Sequence, residues 1–486
     1  MSAGLIGQFT LLLSSRVSQK VIGFTSLAIF SRLLSLEEIS LMAIFALVAD
    51  FIAVVFNFGL QPYILRQVPR YSDDDKGARN SLIKTIILIN VFCCLFGVIV
   101  VYCVNSFFNL IDFDLLSPQL EWVFFFGVYC QSLAVFMIQQ MVALKMYKMI
   151  ARQGIVAALI ILLLVLAIAP KFGVIGLVYA LAVSATYLLI SSAYSVFKTA
   201  DLLDGVGYSN SVSIVTEAMP YYFEGIMVYL RRQGDQLIAI TIIGAEGLGI
   251  YFIAKKYAEL LQMFVTTLDQ IVTPRLAELY ERSQIEFKRF MFDVAGWCVW
   301  STVLLFFLAM SAIPIYVYLV GQQGVVDLEL IITLLLFKAA FEMIRGVAIG
   351  RAVFVATRSI YRFYLTLFEA VILLPLLYVG AKYYGLVGLA IAPVGASVLT
   401  VLVGLFFIYK QADFLLLKAK WIKAVLAGAV MVLCLWGINE SVLTIPDWLL
   451  LKPLVALCIA VVTYLVFNGL VASKEQLKLA RMYLRR

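Results

Sequence analysis

The chain has 486 residues, of which 64% are hydrophobic and 14% charged. Soluble domains carry about 25% charged residues, so the composition excludes a soluble globular protein and predicts a polytopic helical membrane protein. The net charge of +8 sits mainly in links between apolar runs, which reads as membrane topology and not as a nucleic-acid surface.

In chain order, apolar windows predict spans near 8–30, 39–58, 82–108, 120–143, 153–169 and 173–197. A second group falls near 213–243, 247–272, 293–320, 328–350, 360–381 and 385–409. Two more, near 421–439 and 448–470, bring the expectation to about 14 transmembrane helices. The opening MSAGLIGQFTLLLSS lacks a basic n-region and a small-residue cleavage site, so it reads as the start of a retained first helix. The links assigned to one side of this parse carry most of the 37 cations, in clusters such as Arg66–Lys84, Lys145–Arg152 and Lys474–Arg486. The opposite links hold Arg32, Lys171, Lys382 and Lys452. Basic loops stay in the cytoplasm, so both termini are expected there, with the protein in the cell inner membrane.

An internal repeat runs through the chain. SLEEISLMAIFALVAD (35–50) is similar to GAEGLGIYFIAKKYAE (244–259), and PKFGVIGLVYALAV (170–183) to AKYYGLVGLAIAPV (381–394). Gly173 and Gly176 match Gly385 and Gly388; such pairs read as close-packing sites. An even number of spans separates the copies, so the fold class expected is all-α, with two parallel six-helix lobes around a central cavity. The boundaries are 1–200 for the N-terminal lobe, 213–410 for the C-terminal lobe, 421–470 for two extra helices and 471–486 for a basic tail.

Charges inside the spans are the candidate site. Helix positions four and seven apart share a face, which aligns Glu224, Arg231 and Asp235, with Arg232 beside them. Lys255, Glu259, Gln262 and Asp269 form a second stripe, and Lys338, Glu342 and Arg345 a third. Arg16 and Lys20 lie on the first helix, Asp50 and Asn57 on the second. Stripes of this kind avoid lipid and line hydrated cavities. One reading makes them ion pairs locking helices together: Arg231 with Asp235, Lys255 with Glu259, Lys338 with Glu342. The other makes Arg16, Lys20, Arg231, Arg232, Lys255, Lys338 and Arg345 contacts for an anionic substrate, since guanidinium forks suit phosphate oxygens. Asp50, Glu224, Asp235, Glu259, Asp269 and Glu342 then serve as ion-pair partners or as carriers of a coupling H+ or Na+. Pro220, Pro274, Pro314, Pro375 and Pro393 read as packing or kink positions.

The absence of histidine and the placement of all seven cysteines within apolar runs leave nothing on which to build a metal site, a disulfide framework or general-base chemistry. No cofactor and no enzymatic activity are expected.

FSRLLSLEEISLMAIFALVADFIAVVFNFGLQPYILRQVPRY (30–71) and RRQGDQLIAITIIGAEGLGIYFIAKKYAELL (231–261) resemble corresponding stretches of polysaccharide transporters. These belong to the multidrug/oligosaccharidyl-lipid/polysaccharide (MOP) flippase superfamily. The resemblance implies movement of a polyprenyl-diphosphate-linked oligosaccharide, of O-antigen type, from the cytoplasmic to the outer leaflet. Its expected partners are that lipid, the membrane lipids and polysaccharide polymerase or assembly proteins. The asparagine typical before the aspartate of the second stretch is here Gln233 or Gly234. Alternatives are a cation- or proton-coupled multidrug antiporter of the same fold and a flippase for the peptidoglycan precursor. The cations on the first and seventh spans argue against an antiporter, which favours an anionic, aromatic-lined cavity.

Overall fold

A computed structural model describes residues 3–68, 71, 76–108, 117–200, 207–321, 325, 327–343 and 359–412. Among the described residues the regular elements are all helices, joined by turns and without strands. Thirteen α-helices run in order: α1 (Ala3–Leu33), α2 (Leu36–Val55), α3 (Leu60–Gln67), α4 (Lys76–Phe108), α5 (Pro118–Ala143), α6 (Tyr147–Phe172) and α7 (Val174–Thr199). They continue as α8 (Ser211–Ile238), a π-turn (Ala239–Ile243), α9 (Ala245–Arg282), α10 (Gln284–Ser311), α11 (Ile313–Val320), α12 (Leu328–Met343) and α13 (Ser359–Ala412). Among the described residues, six stretches are long and apolar enough to cross a membrane, or seven if α10 and α11 are joined. The expected spans 421–439 and 448–470 lie outside the described residues.

Two compact units are present, residues 10–252 and residues 1–9 with 253–486. In the first, α5 packs between α2, α4 and α7, and α8 packs on α2 and α3. Helix α8 thus joins its own packing to that of the N-terminal helices. In the second, α12 packs against α10, α11 and α13.

Local signals explain the element ends. Within SLEE, Ser35 accepts from the Glu38 N–H at 3.2 Å while the Glu38 carboxylate accepts from the Ser35 N–H at 2.8 Å. That reciprocal capping box starts α2. The link expected after the second span contains the short helix α3, entered through Phe58 and Gly59, both with positive φ (51° and 76°). Gly59 abuts the α8 backbone at Ala218 and Tyr222, leaving no room for a side chain.

The repeated glycines divide their work, which corrects the reading of both as packing sites. Gly173 and Gly385 adopt φ 52°, ψ −122° and φ 59°, ψ −139°, closing equivalent turns before α7 and within α13. A side chain is strained there. Their mates pack closely, Gly176 on Ala169 and Gly388 on Gly380. Pro314 lies in the first turn of α11, after a 47° bend from α10. The missing N–H costs nothing at such a position, so the expected 293–320 span is broken in two.

Candidate functional site

The charged positions are oriented by neutral polar contacts beside them. On α1, Ser15 Oγ donates to the Ala151 carbonyl of α6 at 3.3 Å, and Gln19 Nε2 donates to Ser15 Oγ at 2.9 Å. Gln19 fits against Gly154 of α6. Positions 15 and 19 share a helix face, so this docking fixes the rotation of α1. Arg16 and Lys20, both half-buried, lie about 100° round the helix from it.

On α8, Tyr229 and Gln233 make the corresponding attachment. The Tyr229 hydroxyl donates to the Leu47 carbonyl at 3.2 Å, and Gln233 Nε2 donates to Asp50 Oδ2 at 2.8 Å. Both acceptors are on α2. The structure therefore brings Asp50 to the charged stretch of α8, and gives Gln233 a role that sequence left open. Glu224, Arg231 and Asp235 share a different face, about 120–160° away from Tyr229. Glu224 and Arg231 are half-buried, and Arg232 is exposed.

Asp235 is 1% exposed. Its carboxylate accepts from the Tyr251 hydroxyl of α9 at 2.9 Å and from the Gln236 N–H at 2.9 Å. A buried carboxylate needs such donors, because desolvation otherwise costs several kcal/mol. Immediately afterwards the helix widens into the π-turn Ala239–Ile243, ended by Gly244 at φ 99°. Such turns concentrate at functional sites.

Asn57 leaves the charged stripe. It is buried, donates to Asn90 Oδ1 of α4 at 2.7 Å, and accepts from the Gln61 N–H at 2.8 Å. Its contacts fasten the Phe58–Gly59 turn. Nearby, the Tyr63 hydroxyl of α3 donates to Glu217 Oε2 of α8 at 3.0 Å. Burial and this carboxylate push the Tyr63 phenol up to about 12.

The second unit has its own polar set. Glu259 pairs with Lys256 at 3.1 Å, three residues back; Lys255, the partner that helical spacing suggests, is half-buried on the same helix. Gln262 Nε2 donates to Glu342 Oε2 at 2.8 Å, tying α9 to α12. Lys338 is 7% exposed on α12. Asp269 lies on α9 with its side chain outside the described part, and Arg345 lies outside the described residues altogether. Sequence reasoning placed Gln262 in the charged stripe but missed Tyr229, Gln233 and Tyr251 as organisers of the charges. Their signal was present as polar side chains within apolar windows.

The family model described as polysaccharide biosynthesis protein matches residues 6–280. No curated protein matches the chain by sequence. Among solved structures, the lipid II flippase MurJ in an inward closed conformation is similar, with a TM-score of 0.68 and 15% identity over 95% of this chain and 98% of that one. A MOP superfamily transporter from Pyrococcus furiosus gives 0.57 and 14% over 84% and 96%. The Vibrio cholerae MATE transporter VcmN, in a mutant form, gives 0.55 and 12% over 86% and 98%.

Proposed function

The chain belongs to the polysaccharide biosynthesis protein family, within the MOP superfamily, and we propose that it is a flippase for a polyprenyl-diphosphate-linked oligosaccharide. It carries the lipid from the cytoplasmic to the outer leaflet by alternating access, in the cell inner membrane, for assembly of a surface polysaccharide such as an O-antigen. Both termini lie in the cytoplasm, and polymerase or assembly proteins take up the product.

In this reading Arg16, Lys20, Arg231 and Arg232 hold the diphosphate. Guanidinium forks match phosphate oxygens bidentately. Lys255, Lys338 and Arg345 extend the contact, and the lipid tail stays in the bilayer. Asp50, Asp235, Glu259 and Asp269 bind the coupling H+ or Na+, while Glu224 and Glu342 balance neighbouring cations. The observation that carries the proposal is the anchoring of the α8 charges. Tyr229 and Gln233 attach one face of α8 to α2, which holds Arg231 and Asp235 at a set rotation in an otherwise apolar segment. Charges within a membrane-spanning helix cost roughly 2.5–3.5 kcal/mol each, so four within the twelve positions from Glu224 to Asp235 need a use.

The two alternatives are weighed by charge. The Pyrococcus furiosus transporter is described as having a pocket of reverse polarity that suggests a different function. By the same logic, cations on α1 and α8 favour an anionic cargo here over the cations of a multidrug antiporter. The peptidoglycan precursor also carries a diphosphate and differs in its sugars.

The test is binding of a polyprenyl diphosphate to purified protein. Removing one charged hydrogen-bonding partner costs about 1.5–3 kcal/mol, so Arg16→Ala and Arg231→Ala should each weaken binding about tenfold or more. Unchanged affinity in both correctly folded variants sinks the assignment of these residues.

A further inference from the structure

Helix α6 is the least buried of the six candidate spans, and its exposed face has two parts. Lys148 and Arg152, one turn apart, are exposed at its start. Leu159, Leu163 and Leu166, exposed at 39%, 62% and 52%, continue the same line along the helix: at 100° per residue all five fall within about 60° of one another. From Lys148 to Leu166 the stripe is about 27 Å long. It presents two cations at one end and an exposed apolar track beyond them.

The cationic end is reinforced by its neighbours. Lys145, in the turn between α5 and α6, is exposed and holds a left-handed conformation (φ 59°), which is costly for a residue with a side chain. Lys198, exposed in the last turn of α7, lies three residues beyond Ser195, whose hydroxyl accepts from Gln153 next to Arg152 at 2.9 Å. From residue 122 to residue 200 the chain has no Asp or Glu. Among the described residues Lys145, Lys148 and Arg152 make no ion pair. Cations in the first turn of a helix also lie against its dipole, and an anion at that end offsets both terms.

We propose that this face of α6 is a binding site for an anionic phospholipid of the bilayer. Its phosphate headgroup sits at Lys148 and Arg152, flanked by Lys145 and Lys198, and its acyl chains lie along Leu159, Leu163 and Leu166. Cations alone would suit any anion. The apolar continuation on the same exposed face selects a lipid, and the separation of this face from the residues assigned to the diphosphate favours a resident of the bilayer over a transported one. The assignment stands apart from the substrate reading, since it uses none of the residues assigned to the diphosphate.

Native mass spectrometry of the full chain, purified from mixed micelles holding phosphatidylcholine and phosphatidylglycerol at three to one, tests it. The wild-type protein is expected to retain phosphatidylglycerol at three times its bulk share or more. Lys148→Gln with Arg152→Gln should bring retention down to the bulk share, and Lys148→Arg with Arg152→Lys should preserve it. Equal retention by wild type and the neutral double variant overturns the proposal. So does displacement of phosphatidylglycerol by an equimolar polyprenyl diphosphate, which would assign the face to the cargo. A dimer mass lost in the neutral variant would also overturn it, by giving the face to a second copy of the chain. Arg231→Ala protein, which tests the cargo site, should retain phosphatidylglycerol as wild type does.

Discussion

Asp235 shows how a charge is kept inside an apolar helix. Donors such as the Tyr251 hydroxyl and the Gln236 N–H replace the water it has lost. Tyr251→Phe removes one of them while the ring still fills its place, and leaving a buried acceptor short costs about 1–3 kcal/mol. Thermal unfolding of the purified variant should show that loss, whereas an unshifted midpoint would mean that Asp235 draws little from Tyr251. Tyr63 offers a test that depends on pH. Its phenol is pushed up to about 12 by burial and by Glu217, against about 10 in the unfolded chain. The bond to Glu217 requires the protonated phenol, so its stabilisation is fully present below about pH 10. It should fade as the pH rises towards about 12, and there the difference between wild type and Tyr63→Phe should close. At this scale the sequence was informative about which residues carry charge. It was silent about which neutral side chains hold them: the partners of Asp50 and Asp235 lie 183 and 16 positions away, and helical periodicity relates only residues a few positions apart.

Elements were legible where the signal is local. The Ser35–Glu38 capping box can be read from SLEE, and the apolar windows between residues 36 and 199 each fall on a helix. What the windows could not supply was α3, because an eight-residue helix entered through a left-handed turn has no apolar run to mark it. Nor did they separate the two uses of the repeated glycines. Gly173 and Gly385 share a backbone conformation that only glycine adopts without strain. Alanine at either should destabilise its unit by about 1–2 kcal/mol, read as a lowered melting temperature in detergent. Gly244, at φ 99°, closes the π-turn by the same means. Equal melting for Gly385→Ala and wild type would show that the turn tolerates a side chain and that the repeat has no backbone basis there.

At the scale of the whole molecule, composition and charge placement were enough for an all-helical, multi-pass membrane protein, and the stretches 30–71 and 231–261 for its superfamily. A family match across residues 6–280 and a fold shared with MurJ at a TM-score of 0.68 agree with that reading. Cargo is less legible, because one superfamily fold serves flippases and multidrug transporters alike, and the difference rests on a few buried charges. We propose that the cations of α1 and α8 carry a diphosphate-linked glycan across the bilayer. The most direct test is reconstitution of the purified chain into vesicles containing a fluorescent polyprenyl-diphosphate-linked oligosaccharide, with accessibility of the glycan followed in each leaflet. Protein-dependent movement between leaflets is expected, slowing about tenfold or more in Arg231→Ala. Vesicles in which the wild-type chain leaves the glycan lipid in place, yet exchanges a cationic dye for protons, would contradict it and favour the antiporter.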